Sequence, residues 1–307
     1  MDLGLLRRAC YGDIFLLPIG VKAMARLSRV EVFDPDEIAV VHVMSRVVRR
    51  ACLLGYDKFS GKNFDHRRSW VEHELERAAG GFGIDLIAYS LMSNHFHLVL
   101  RSRPDVVAHW DDSEVARRWL LLCPVGKNKD GSPKAPTEAA INKIRNNSER
   151  LREIRRRLSD ISWWMRLVCQ RIAQRANAED ECKGKFWESR YQAVRLLDEA
   201  SILACAVYVD LNPIRAALAE TIEDSRYTSA QRRVQSLINQ VAVASASSTE
   251  MVGSATEESI LADAILSPVQ VNAGLELANA GDVELANQSD CVASIGPQLS
   301  SSGRRCT

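Results

Sequence analysis

The sequence predicts an α+β fold, in which an antiparallel sheet is covered on one face by helices. Three observations carry this expectation. The run Ile38 to Arg46 is rich in β-branched residues, as a strand requires. Two further apolar runs, Ile84 to Met92 and His95 to Arg101, flank the polar pair Ser93-Asn94 and read as a β-hairpin. Longer segments such as His66 to Ala79 and Glu199 to Leu211 space their apolar residues at helical intervals.

Residues 1–25 open with an apolar segment that carries no motif. The first strand, Ile38 to Arg46, leads into the basic stretch Arg46-Val47-Val48-Arg49-Arg50. The helix over His66 to Ala79 places Trp70, Val71, Leu75 and Ala78 among Glu and Arg, and Gly80-Gly81 is expected to end it. The hairpin follows. Residues 103–136 contain Pro104, Pro124, Pro133 and Pro136 and read mostly as loop. Ala139 to Leu158 reads as one basic helix, and after Ser159-Asp160 a second runs from Ile161 to Ala176 with Trp163, Trp164, Leu167, Val168 and Ile172 on its apolar face. On the basic helix, Arg152, Arg155, Arg156 and Arg157 fit a solvated face better than a nucleic-acid contact. Asp198 is a suitable N-cap for the helix Glu199 to Leu211, and Pro213 ends that helix by disfavouring helical geometry at Asn212. From residue 236 onward Ala, Ser, Val, Asn and acidic residues predominate, so residues 236–307 read as a low-complexity, largely disordered tail.

At 307 residues the chain can form one sizeable domain with appendages. No apolar stretch approaches the length of a membrane span, and Met1-Asp2-Leu3-Gly4 does not start a secretory signal. The 8 cysteines form no C-x-x-C pair, and a reduced, cytoplasmic setting accounts for them. The formal charge of +1 conceals an asymmetry: the tail from residue 236 carries −6, with eight acidic residues against Arg304 and Arg305, and the body carries +7. A basic body suits a polyanionic partner, although many solvated surfaces carry as much charge.

The segment Ser93-Asn94-His95-Phe96-His97-Leu98-Val99-Leu100 is where chemistry concentrates. Side chains alternate across a strand, so His95 and His97 share one face while Phe96, Leu98 and Leu100 fill the other. Two neutral imidazoles side by side can chelate a divalent cation, and the same pair also fits a solvated face lined by histidine. Downstream stands Tyr208-Val209-Asp210-Leu211-Asn212-Pro213. Tyr208 and Asn212, four apart, share a helix face, and by periodicity alone Tyr208 reads as a core residue among Leu203, Ala204, Val207 and Leu211. Asn212 before Pro213 is an ordinary N-cap arrangement for the turn 213–218. Arg46, Arg49, Arg50, Lys185 and Arg190 are candidate phosphate contacts. Trp187 could stack on a base, although burial is the stronger reading.

Taken together, the histidine pair and the Tyr208 to Asn212 segment resemble the HUH single-tyrosine transposases, and within them the REP-associated tyrosine transposase branch. The resemblance spans roughly residues 26–233 and takes in Phe186-Trp187-Glu188-Ser189-Arg190-Tyr191 and Tyr227-Thr228-Ser229. It implies a ferredoxin-like or RRM-like core over residues 26–235, from which this sequence departs by a helical insertion at about 103–160. It also implies metal ligation by His95 and His97, with Asn212 as third ligand or cap, and attack by Tyr208 on single-stranded DNA through a 5′-phosphotyrosine intermediate. Among the tyrosines only Tyr208 holds the family's place four residues before the Asn of an N-P motif; Tyr191 and Tyr227 read as packing residues. Two histidines and an amide or carboxylate oxygen leave positions open for substrate and suit Mg²⁺ or Mn²⁺ better than a closed zinc site. The implied partner is single-stranded DNA with hairpin-forming repeats, met by a monomer or a homodimer. One alternative is a domesticated hairpin-binding protein that does not cut. Another is a nucleotide hydrolase of the histidine-triad type, which would need a histidine where Val99 stands.

Overall fold

The computed structural model describes residues 32–48, 51–58, 60–129 and 132–247, without the side chains of 242–247. Four strands form one antiparallel sheet: β1 (Val40–Arg46), β2 (Ile84–Leu91), β3 (His95–Ser102) and β4 (Gln192–Leu196), in the order β2-β3-β1-β4. The expected hairpin is β2 and β3, joined by residues 92–94, with Met92 donating its N–H to the His95 carbonyl at 2.8 Å. A helix, α1 (His66–Gly81), connects β1 to β2; it runs through both glycines that were expected to stop it and ends at Phe82.

Strand register sorts the side chains onto two faces. The pairs Val41↔Leu100, Val43↔Leu98 and Ser45↔Phe96 lie on one face, and His42↔Val99, Met44↔His97 and Arg46↔His95 on the other. The first face carries the main core, where Val41, Val43, Phe96, Leu98 and Leu100 are fully buried with Val71 and Leu75 of α1. At about 25 cal/mol per Å², each such aliphatic side chain contributes roughly 1.5–3 kcal/mol.

The connection from β3 to β4 carries no helix or strand among the described residues of 123–136, as expected of a loop, but corrects the loop expected over 103–122. It holds α2 (Pro104–His109), α3 (Asp112–Leu122), α4 (Glu138–Arg145), α5 (Ser148–Leu158) and α6 (Ile161–Glu179). Pro104 sits in the first turn of α2, where its missing N–H costs no hydrogen bond. Asp111 caps α3 by accepting from the Glu114 N–H at 2.8 Å. The basic helix expected over 139–158 is two helices, because the Asn147 side chain accepts from the Arg150 N–H at 2.9 Å and restarts the chain as α5. Leu158, Ile161, Trp164 and Val168 of α5 and α6 complete the main core. Arg67 of α1, wholly buried, ties α1 to the end of α6 through Glu179 at 2.7 Å and Asp180.

The helix α7 (Glu199–Asp210) corrects the expectation of one covered face, since it packs on the histidine side, opposite α1. Ala206 and Val209 of α7 form a smaller core with Ile87, Ala88 and Val99. An irregularity in the β2–β3 register between Leu86 and Ala88 brings Ile87 and Ala88 together into that core. Asp198 caps α7 as expected, accepting from the Ser201 N–H at 2.7 Å in a reciprocal capping box. A short helix, α8 (Asn212–Arg215), follows at once, and α9 (Ser229–Ser247) extends past residue 236, where the tail was expected to begin. Residues 1–31 and 248–307 lie outside the described residues, and with them the N-terminal segment and the rest of the expected tail. Among the described residues no helix is long and apolar enough to cross a membrane.

Candidate functional site

The histidine pair stands at the start of β3, with the backbone of Arg46 opposite His95 and that of Met44 opposite His97. Diagonal to His97 on the same face is His42, and its Nε2 lies 3.0 Å from Nδ1 of His97. The rings of His42 and His97 are nearly parallel, with centroids 5.2 Å apart, whereas His95 meets His97 edge to face at 5.0 Å. Tyr208 comes down from α7 and sets its ring edge-on to both, 5.7 Å from His97 and 6.2 Å from His42. The fold thus brings together His95, His97 and Tyr208, separated by more than a hundred residues, because α7 packs on the sheet face that the pleat gives to the odd-numbered residues of this part of β3.

Burial keeps these imidazoles neutral. Desolvation lowers His42 to about 4; desolvation and then the charge of Arg46 lower His95 to about 4. His97, 5% exposed, is held well below the ordinary histidine value by desolvation and next by His95. A neutral imidazole is the form that ligates a metal. Nδ1 of His95 lies 2.6 Å from Oδ1 of Asn94, an oxygen that only accepts, so Nδ1 of His95 carries the proton and its Nε2 keeps a lone pair. This is the arrangement of a ligating histidine, with one nitrogen held by an acceptor and the other free for a cation. Asn94, one residue before the pair, is the acceptor that fixes this tautomer.

Asn212 follows the carboxyl end of α7 and is buried, and its Nδ2 has no hydrogen-bond partner. It is not a cap. It is the first residue of α8, the residue in the cap position is Leu211, and no side chain caps that helix. Among the described residues no three His, Cys, Asp or Glu side chains are grouped to hold a metal ion. Ligation at the histidine pair would therefore draw on an amide oxygen or on the substrate for its third donor, and two neutral imidazoles on one strand face supply nitrogen donors that suit a divalent cation.

Of the candidate phosphate contacts, Arg46 lies on the histidine face, and the segment after α6 runs beside it: Val48 donates to the Phe186 carbonyl at 2.9 Å and Glu188 to the Arg46 carbonyl at 2.9 Å. Lys185 and Arg190 flank that segment and are exposed, while Arg49 and Arg50 lie outside the described residues. Trp187 is committed to packing, with its indole N–H donated to the Cys169 carbonyl at 2.8 Å and its ring against Phe96 and Phe186. Tyr191 bonds Ser162 at 3.0 Å and Tyr227 bonds Ser69 at 3.2 Å, the packing roles expected of them. On α5, Arg155 binds the carbonyls of Val107 and Trp110, and Arg157 lies over the ring of Trp163. Val99, where a histidine-triad enzyme would need its third histidine, is fully buried against α7.

His42 is the residue that sequence reasoning missed. Its parity on β1 was legible, but its register against β3, 55 residues away, was not.

No family model and no curated protein matches this chain. A solved structure of a REP-associated tyrosine transposase bound to a REP hairpin is similar with a TM-score of 0.37 and 11% identity, covering 64% of this chain and 79% of that one.

Proposed function

We propose that this chain is a transposase-like endonuclease and strand transferase that cleaves single-stranded DNA through Tyr208. The observation that carries the reading is the seating of the Tyr208 ring 5.7 Å from His97, over the strand that bears the histidine pair. The strand order β2-β3-β1-β4, entered through β1-α1-β2-β3, supports the ferredoxin-like arrangement as its scaffold.

In this reading His95 and His97 hold Mg²⁺ or Mn²⁺ with the amide oxygen of Asn212. Bound there, the ion supplies Lewis-acid polarisation of a phosphodiester. The chain's own residues do the rest. Arg46, Lys185 and Arg190 bind phosphates of the strand and hold it against the sheet. Tyr208, on the rigid α7, forms the bond from Oη to phosphorus as the bond from phosphorus to O3′ breaks; the phenol proton is lost and O3′ leaves as a hydroxyl. The 5′-phosphotyrosine retains the energy of the broken bond, so a second 3′-hydroxyl can reverse the step onto another strand. Arg215, whose guanidinium lies 5.1 Å from the centre of the Tyr208 ring, places a positive charge beside it.

The test uses a labelled single strand that folds into a hairpin. In Mn²⁺ the wild-type protein should nick it and become covalently attached, while Tyr208→Phe should bind the hairpin and form no adduct. Hairpin binding without nicking by the wild type would instead assign the non-cutting role.

A further inference from the structure

We infer that His42 is a positioning residue of this site: its Nε2 accepts a hydrogen bond from Nδ1 of His97 and so fixes the His97 tautomer whose Nε2 lone pair can ligate a cation. The inference rests on the proposed metal role of the histidine pair and adds to it a residue from another strand.

Two imidazole nitrogens 3.0 Å apart share one proton, and which nitrogen carries it decides what His97 can do. If His42 donated, His97 would carry its own proton on Nε2, leaving no lone pair on the nitrogen outside the bond. If His97 donates, its Nε2 is a ligand. His95 shows which alternative the site favours. Its Nδ1 faces the amide oxygen of Asn94 at 2.6 Å, which only accepts, so His95 already has its proton on Nδ1. With His42 accepting, both members of the pair offer Nε2 and both are held through Nδ1. A ligating histidine whose other nitrogen is so held keeps its tautomer and ring orientation.

The surroundings make the bond decisive. His97 is 5% exposed, so water is a poor substitute for the lost partner. The hydrogen bond to the nearly parallel ring of His42 and the edge-on ring of Tyr208 restrict turning of the His97 ring. His42 is not itself a candidate ligand in this arrangement, because the nitrogen nearest the pair is used in the bond to His97.

The test has two readouts on the full chain, neither of them cleavage. With ¹⁵N-labelled histidine and no metal, two-bond ¹H–¹⁵N spectra at neutral pH should show wild-type His97 protonated on Nδ1. His42→Phe, which keeps an aromatic ring and removes the acceptor, should shift His97 toward the other tautomer. By calorimetry, His42→Phe should bind Mn²⁺ about 10–100-fold more weakly than wild type, the range for loss of such a partner. His42→Gln, whose amide oxygen can accept, should recover most of the loss. A wild-type His97 protonated on Nε2 overturns the inference without any variant, and so does unchanged Mn²⁺ affinity in a folded His42→Phe. Should His42→Phe not fold, a His42→Gln protein with His97 protonated on Nε2 overturns it equally. Absence of Mn²⁺ binding by the wild type removes the metal reading and the inference together, whereas equal binding by wild type and His42→Phe removes the inference alone.

Discussion

Asn212 shows how one side chain separates stability from chemistry. Its amide nitrogen is buried and makes no hydrogen bond, so replacing Asn212 by Ala deletes an already unsatisfied group and should leave the urea midpoint nearly unchanged. In the proposed site the same change removes a ligand oxygen, so cleavage at limiting Mn²⁺ should fall at least tenfold, and Asn212→Asp should retain it. Full cleavage by Asn212→Ala at limiting Mn²⁺ would leave the residue without a part in the chemistry. At this scale the sequence exposed what depends on local periodicity: His95 and His97 on one strand face, Tyr208 and Asn212 four apart. It concealed His42 because a partnership between strands depends on register, which hydrogen bonding and packing set across 55 residues.

The element that places Tyr208 is α7, and it is fixed at both ends. Asp198 satisfies its first turn, and its Ala variant should cost about 1 kcal/mol. At the other end Asp210 accepts hydrogen bonds from the Ser229 hydroxyl, from the Ala230 N–H at 3.1 Å and from Arg233 at 3.1 Å, and so joins the end of α7 to the start of α9. Arg233 continues to the Ile87 carbonyl of β2. Asp210→Ala should therefore cost about 2–3 kcal/mol, because it leaves a partly buried guanidinium without its carboxylate. It should also speed amide exchange in the first turn of α9 more than in α1. Equal loss of protection in both helices would mean that Asp210 supports the whole fold and not this joint. Helices with clear caps, such as α7, were legible in the sequence. The α2–α3 pair was not, because Pro104 reads as a breaker until its place in a first turn is known. Strand β4 also escaped: exposed Gln192, Val194 and Arg195 give it no alternating pattern, and its pairing with β1 is what makes it a strand.

Over the whole molecule, the two faces of the sheet divide the work. The larger core under α1, α5 and α6 supplies most of the buried apolar residues, and the smaller one under α7 has Tyr208 packed against it, beside the histidines. Polar contacts that bind α9 to the body come from its first residues, Ser229, Ala230, Arg232 and Arg233. A chain ending at residue 235 should therefore melt close to the full-length temperature, and a large drop would assign structural weight to later residues. That chain also lacks the −6 charge carried from residue 236 onward, so it should bind single strands more tightly at low ionic strength, by a margin that shrinks as salt rises. Equal affinities at low salt would leave the charge asymmetry without a part in binding. The overall α+β class was legible in the sequence, but the two-faced covering was not, because periodicity marks an apolar stripe without saying which side of a sheet it meets. The most direct measurement of the central claim is mass spectrometry of the protein after reaction with hairpin DNA in Mn²⁺. The account predicts one nucleotide adduct on the peptide that contains Tyr208, lost in Tyr208→Phe and in the double variant His95→Ala, His97→Ala. An adduct that persists in Tyr208→Phe, or a wild-type protein that cuts the hairpin with no covalent intermediate, would contradict it.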